Sequence, residues 1–162
     1  MTTEFYDSLR PLFRPRSIAI LGASGDPARI GGKPVRLLKD FGFGGKIYPV
    51  NPNRETVQGL PAYASVSDIK GTVDQAIMAV PARLAVEVAE ECAAKGVKSI
   101  VVFTSGFAEM SADGIAMQER LSEIARESGM RIMGPNCLGV FSVRDCSWST
   151  FSSSVEMVRP KI

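Results

Sequence analysis

The chain has 162 residues, enough for one well-buried domain with a trailing segment. Its 45% hydrophobic and 22% charged composition is that of an ordinary globular protein. A net charge of +2, from 19 basic and 17 acidic residues with no long basic run, argues against nucleic acid or a membrane surface as the partner.

Residues 5–13 read as a short amphipathic helix with Leu9, Leu12 and Phe13 available to pack, although Pro11 weakens the pattern. After Pro15, Ser17–Leu21 has the continuous apolar character of a strand buried on both faces of a parallel sheet. A glycine-rich loop follows at residues 22–32. The spacing then predicts a helix over 32–41, with Pro34 tolerated in its first turn. Gly42-Phe43-Gly44-Gly45 ends that helix, Lys46–Val50 is a second strand, and Asn51-Pro52-Asn53 is a turn. Residues 59–68 read as irregular, with a helical turn near Ser67. A third strand at 75–80 stops at Pro81.

Leu84, Val88 and Cys92 recur every four residues along a helix over 83–95, which Gly96 closes. Residues 99–103 are a fourth strand. A helix over 111–128 carries Met117, Leu121, Ile124 and Ala125 on one face and ends at Gly129; Arg131–Met133 is a short fifth strand. Strands and helices alternating at this pitch predict an α/β fold, a Rossmann-like, doubly wound parallel sheet with right-handed crossovers. This domain is expected over residues 1–143. From Asp145 the chain turns Ser/Thr-rich (Ser147, Ser149, Thr150, Ser152, Ser153, Ser154). Residues 144–162, ending Arg159-Pro160-Lys161-Ile162, therefore read as a linker or exposed edge leading to a following domain not contained in this sequence.

The chain contains no histidine. That excludes a histidine base, a histidine metal ligand and a phosphohistidine carried here. Cys92, Cys137 and Cys146 are widely spaced, giving neither a metal pattern nor a disulfide framework. No apolar run approaches the ~18 residues of a membrane span. Met1-Thr2-Thr3-Glu4 does not start a signal peptide, so a cytoplasmic location is expected.

In a doubly wound sheet, ligands bind outside the carboxyl ends of the strands. That rule selects residues 22–32, 51–54, 81–83 and 104–109 by position. A glycine-rich loop entering a helix presents unpaired N–H groups to an anion, usually a phosphate; the bland alternative is a tight strand-to-helix turn. Ser24 stands where the dinucleotide fingerprint has its second glycine, and it adds a hydroxyl donor. The acid that NAD binders place after the second strand is missing, since Asn51-Pro52-Asn53-Arg54 holds none before Glu55. Arg54 either meets a further ribose phosphate, as in NADP or the 3′-phosphate of coenzyme A, or is a surface arginine in a turn.

Val80-Pro81-Ala82 is an apolar shelf for an adenine ring, or only a strand end and helix start. Thr104-Ser105-Gly106 suits close backbone contact with a ligand, or is a simple turn. Cys137 has no histidine partner and no activating cation nearby in sequence, which favours a structural or substrate-adjacent thiol over a nucleophile. Trp148 reads as packing or linker.

Taken together, these segments resemble the CoA-binding domain of the NDP-forming acyl-CoA synthetases, which include the ADP-forming acetate–CoA ligases and the succinyl-CoA synthetase alpha subunit. The matching stretches are Leu12-Phe13-Arg14-Pro15-Arg16-Ser17, Gly22-Ala23-Ser24-Gly25, Phe41-Gly42-Phe43-Gly44-Gly45-Lys46-Ile47-Tyr48-Pro49-Val50-Asn51-Pro52, Val80-Pro81-Ala82, Gly106-Phe107-Ala108-Glu109 and Gly134-Pro135-Asn136-Cys137-Leu138-Gly139. The resemblance implies that Ser24, Gly25, Asp26 and Pro27, in the loop that Gly22 opens, line the CoA phosphates and that Arg54 contacts CoA. It further places Val80 and Pro81 beside the adenosine, Thr104, Ser105 and Gly106 along the pantetheine, and Asn136 and Cys137 near the thiol end and the acyl substrate. Leu37 departs from the family, whose members often carry Asn there.

In that family a histidine on the next domain relays the phosphoryl group, and a separate ATP-grasp module holds ATP or ADP with Mg. The partners implied are CoA and the remaining synthetase domains or subunit. This chain by itself is expected to bind CoA without completing acyl-CoA formation, and to contain no catalytic residue and no metal ligand. The rival readings are a stand-alone CoA-binding regulatory protein, an NADP-binding oxidoreductase domain, and a protein acyltransferase fused to a synthetase-like region.

Overall fold

The computed structural model describes residues 3–157. Helix α1 (Thr3–Phe13) leads into strand β1 (Ser17–Leu21), helix α2 (Lys33–Asp40) and strand β2 (Lys46–Val50). A short hairpin, β3 (Thr56–Val57) and β4 (Leu60–Pro61), precedes β5 (Gln75–Met78). The chain continues through α3 (Ala82–Lys95), β6 (Ser99–Val102), α4 (Ala112–Ser128) and β7 (Arg131–Met133), then a second hairpin, β8 (Gly139–Ser142) and β9 (Ser147–Thr150), and α5 (Ser154–Met157).

The five apolar strands expected from the sequence form one all-parallel sheet in the order β2-β1-β5-β6-β7. Alternate residues of these strands feed two separate cores, because successive side chains of a strand point to opposite faces. Ala19, Leu21, Ala76, Met78, Ile100 and Val102 pack under α3 and α4, against Ala85, Ala89, Cys92, Leu121 and Ile124. Ile18, Ile20, Ile77, Val101 and Phe103 pack on the other face against Leu12, Val35, Leu37, Leu38 and Trp148. The helix ends follow their sequence signals. The Ser111 hydroxyl caps α4 by accepting from the Gly114 N–H at 3.0 Å, and Gly96 and Gly129 end α3 and α4 in the left-handed conformation.

Two segments depart from expectation. Residues 56–61, expected in part as irregular chain, form the β3–β4 hairpin, which buries Val57 and turns through left-handed Gln58 and Gly59. Residues 147–150, expected as linker or exposed edge, are instead a fully buried strand paired with β8. The hydroxyls of Ser149 and Thr150 tolerate burial because each makes a bond that replaces water. Ser149 Oγ donates to Gln75 Oε1, and Thr150 Oγ1 donates to the Leu138 carbonyl at 2.6 Å. Gln75, itself buried in the central strand, also donates to the Leu12 carbonyl at 2.7 Å, tying α1 and β9 to the sheet. Trp148 is 1% exposed, with Phe41 at 4.6 Å and a near-parallel Phe141 at 5.1 Å between ring centroids. Residues 158–162 of the expected linker lie outside the described residues. Among the described residues no helix is long and apolar enough to cross a membrane.

Trp148 thus serves packing, and Trp148→Ala is expected to cost about 3–5 kcal/mol of stability. Urea denaturation reads this directly, and a loss under about 1 kcal/mol would return the segment to the linker class. Burial also pushes the Cys92 thiol up to about 12. Iodoacetamide at pH 8 should therefore leave Cys92 unmodified in the folded protein and alkylate it in urea, as followed by peptide mass spectrometry.

Candidate functional site

The sheet order reverses between β1 and β5: the chain adds β2 on one side of β1, then crosses to start β5 on the other. Loops leaving these two strands diverge to opposite faces, toward α2 and α3, the arrangement at which doubly wound sheets take ligands beyond the strands' carboxyl ends. Every candidate residue lies along this rim. Four inter-strand spacings of about 4.8 Å make the rim about 19 Å long, which suits an elongated ligand.

The loop after β1 folds back on itself, with the Ser24 N–H donating to the Gly31 carbonyl at 3.3 Å. A Cβ on Gly31 would sit 2.2 Å from the Gly22 carbonyl oxygen, and one on Gly32 would sit 1.8 Å from that of Asp26. Gly22, at φ +81°, lies against the end of β5, where a Cβ would come within 2.5 Å of the Ala79 carbonyl oxygen. These three glycines are required by backbone against backbone. Gly25 alone faces a side chain, the guanidinium of Arg54, whose Nη1 is 3.6 Å from where a Cβ would be. Arg54 is exposed and makes no ion pair among the described residues, so its charge is free to meet an anion.

Within the loop the Asp26 N–H bonds to Ser24 Oγ at 3.1 Å, and the Ala28 N–H bonds to Asp26 Oδ1 at 2.9 Å. Arg29 stands 3.7 Å from the Asp26 carboxylate and offsets its charge. The N–H groups of Gly25, Ile30 and Gly31 have no acceptor among the described residues. Asp26 and Pro27 therefore shape the loop, while the free amides, the Ser24 hydroxyl proton and Arg54 supply donors.

Beyond the loop the rim is continuous. Val80 lies beside Gly22, and Pro81 is exposed at the start of α3. Thr104 Oγ1 donates to the Val80 carbonyl at 2.7 Å, and the Thr104 carbonyl accepts the Asn136 N–H at 2.9 Å. Gly106, at φ +104°, packs close to Ala82. Ser105 and Asn136 are exposed, with Asn136 in the left-handed region at φ +53°. Cys137 is half-buried, and its thiol donates to the Val102 carbonyl at 3.2 Å. Burial pushes that thiol above its ordinary range, so it is a weak nucleophile.

Three rim-supporting contacts escape the sequence reading. Asn51 Nδ2 donates to the Ala23 carbonyl at 2.9 Å, joining the end of β2 to the loop. Gln58 contacts the same loop from the β3–β4 hairpin. Glu109 turns its carboxylate onto the N–H groups of Gly106 and Phe107, at 2.7 and 3.2 Å. Those bonds favour the charged form and hold the Glu109 carboxyl below its usual range. Asn51 and Glu109 carried a signal, lying inside the Phe41–Pro52 and Gly106–Glu109 stretches, whereas Gln58 carried none.

The model of the CoA binding domain family matches residues 16–142. The alpha subunit of an ADP-forming acetate–CoA ligase II from Pyrococcus furiosus is 45% identical over 139 residues, which are 86% of this chain and 30% of that protein. An ADP-forming acetate–CoA ligase II from Archaeoglobus fulgidus is 45% identical over 144 residues, 89% of this chain and 21% of that protein. Among solved structures, an acetyl-coenzyme A synthetase from Ca. Korarchaeum cryptofilum superposes with a TM-score of 0.83 at 40% identity, covering 88% of this chain and 30% of that one. The chain spans less than a third of the length of these three relatives. With the family model covering most of its length, the chain belongs to the CoA binding domain family.

Proposed function

We propose that this chain binds coenzyme A along the carboxyl rim of its sheet, as the CoA-holding part of an acid–CoA ligase that forms acyl-CoA from a carboxylic acid, CoA and ATP with release of ADP and phosphate. The observation that carries the reading is the placement of Arg54. It lies against Gly25 of a loop with free amides, at the position where an NAD site would present an acid. A guanidinium there matches a phosphate on the ribose through paired charge-assisted bonds.

The loop donors then take the pyrophosphate, Val80 and Pro81 flank the adenosine, and Thr104, Ser105 and Gly106 follow the pantetheine toward Asn136 and Cys137. When bound, CoA supplies the thiol that accepts the acyl group. The chain's part is to hold and orient it. Glu109 keeps the 104–107 backbone in place by occupying two of its N–H groups. With no histidine in the sequence, a phosphohistidine relay and the nucleotide site come from other domains or a partner subunit. The NADP reading is disfavoured by Ser24 in the loop.

Calorimetric titration with CoA, dephospho-CoA, NADP and NAD tests the ligand class. CoA should bind most tightly, and NADP binding without a CoA signal would overturn the reading. Arg54→Ala should weaken CoA about tenfold and dephospho-CoA much less; equal losses would remove Arg54 from the 3′-phosphate.

The Glu109 contact has its own pH signature. Because the folded carboxyl is lowered, its contribution is present above the unfolded value, about 4.3, and is lost as pH falls through the folded one. The amide resonances of Gly106 and Phe107 should titrate together with a midpoint below that unfolded value. Glu109→Gln should abolish this titration. A midpoint at or above the unfolded value would mean the contact does not hold the loop in solution.

A further inference from the structure

The β3–β4 hairpin reaches the glycine-rich loop from outside, and one side chain makes the contact. Gln58 Nε2 donates to the Ser24 carbonyl at 3.0 Å and to the Gly32 carbonyl at 2.9 Å. Two carbonyl acceptors require the NH2 side of the amide and use both its protons. Ser24 and Gly32 stand at either end of the loop's neck, beside the Ser24–Gly31 backbone bond. The hairpin tip is itself fixed: Val57 is buried, and Lys39 Nζ of α2 donates to the Gln58 carbonyl. Gln58 holds a left-handed backbone, φ +50°, a conformation rarely kept by a non-glycine residue without compensation elsewhere.

We propose that Gln58 is a positioning residue for the anion-binding loop, locking its two neck carbonyls outward so that the free loop amides serve the ligand's phosphates. The inference rests on the CoA reading for the identity of that ligand. The physical reason lies in the peptide unit between Ser24 and Gly25. A trans peptide sets C=O and N–H in opposite directions. With the Ser24 oxygen held by Gln58, the Gly25 N–H must point away from the hairpin. Glycine on one side of this peptide makes its rotation easy, and a rotated unit would turn a carbonyl oxygen toward the anion in place of a donor. Gln58 opposes that rotation at one end of the neck and anchors the Gly32 carbonyl at the other. Nothing about the residue's spacing or polarity announces this role.

The test uses the full chain with two variants. Gln58→Gly keeps the left-handed backbone without steric cost and deletes only the amide. Gln58→Glu keeps the shape but offers acceptors to two carbonyls at neutral pH and regains a donor when protonated. In ligand-free protein, Gln58→Gly should speed hydrogen exchange of the loop amides over 24–32 while leaving exchange in the sheet unchanged. Its CoA affinity should fall about tenfold, the scale of one or two lost hydrogen bonds. Gln58→Glu should bind CoA more weakly still at pH 7.5 and recover relative to Gln58→Gly as pH is lowered to 5. Unchanged loop exchange and unchanged CoA affinity in Gln58→Gly would overturn the assignment, as would a Gln58→Glu to Gln58→Gly ratio independent of pH. A wild-type chain that binds no CoA would defeat the ligand reading alone, since the ligand-free exchange comparison still decides the role of Gln58.

Discussion

Backbone meets backbone where the chain leaves β1, and no side chain fits between. Gly22 lies against Ala79, Gly31 against Gly22, and Gly32 against Asp26, each too close for a Cβ. This contact draws the carboxyl ends of β1 and β5 together at the point where the strand order reverses. It also folds residues 22–32 into a loop tight enough to leave amides without internal acceptors. The ligand therefore does not dictate most of the glycines. They are dictated by the chain's own crossing, and the loop's free amides follow from it.

That distinction bears on how glycine-rich loops are read. Glycine in such a loop is usually credited to close approach of a phosphate. Here only Gly25 is spare in that sense, and it faces Arg54 instead of backbone. An alanine at Gly25 would meet a flexible side chain at ordinary contact distance, whereas one at Gly31 or Gly32 would meet fixed backbone. Glycines of the two kinds look identical in sequence, and the difference is purely one of what lies opposite them.

Much of the fold was legible because its signals are local. Five apolar runs such as Ser17–Leu21 and Lys46–Val50, separated by capped helices, specify the sheet. The rule that ligands sit at the carboxyl ends then placed the loops on one rim. The unread parts depend on distant partners. Ser147, Ser149 and Thr150 look like linker composition, and the Gln75 amide and the Leu138 carbonyl that receive the hydroxyls of Ser149 and Thr150 are what let that strand be buried. Asn51, Gln58 and Glu109 act on the site through bonds to backbone groups, two of them 26 to 34 residues away. A hydrogen bond to main chain leaves no periodicity and demands no special neighbour, so sequence pattern carries no trace of it.

The same bonds limit the chemistry the rim can perform. Three of the rim's ionisable groups are already engaged. The Asp26 carboxylate accepts an N–H and faces Arg29, the Glu109 carboxylate accepts two N–H groups, and the Cys137 thiol donates into a strand carbonyl. Moving a proton at any of these would undo a contact that shapes the loop holding it. Within the glycine-rich loop and against it, what remains uncommitted is a set of donors: three amides, a hydroxyl and a guanidinium. Such a set can bind and orient an anion. A loop built this way is suited to holding an anion through its backbone and one flexible guanidinium, with no change of protonation in the acid that shapes it.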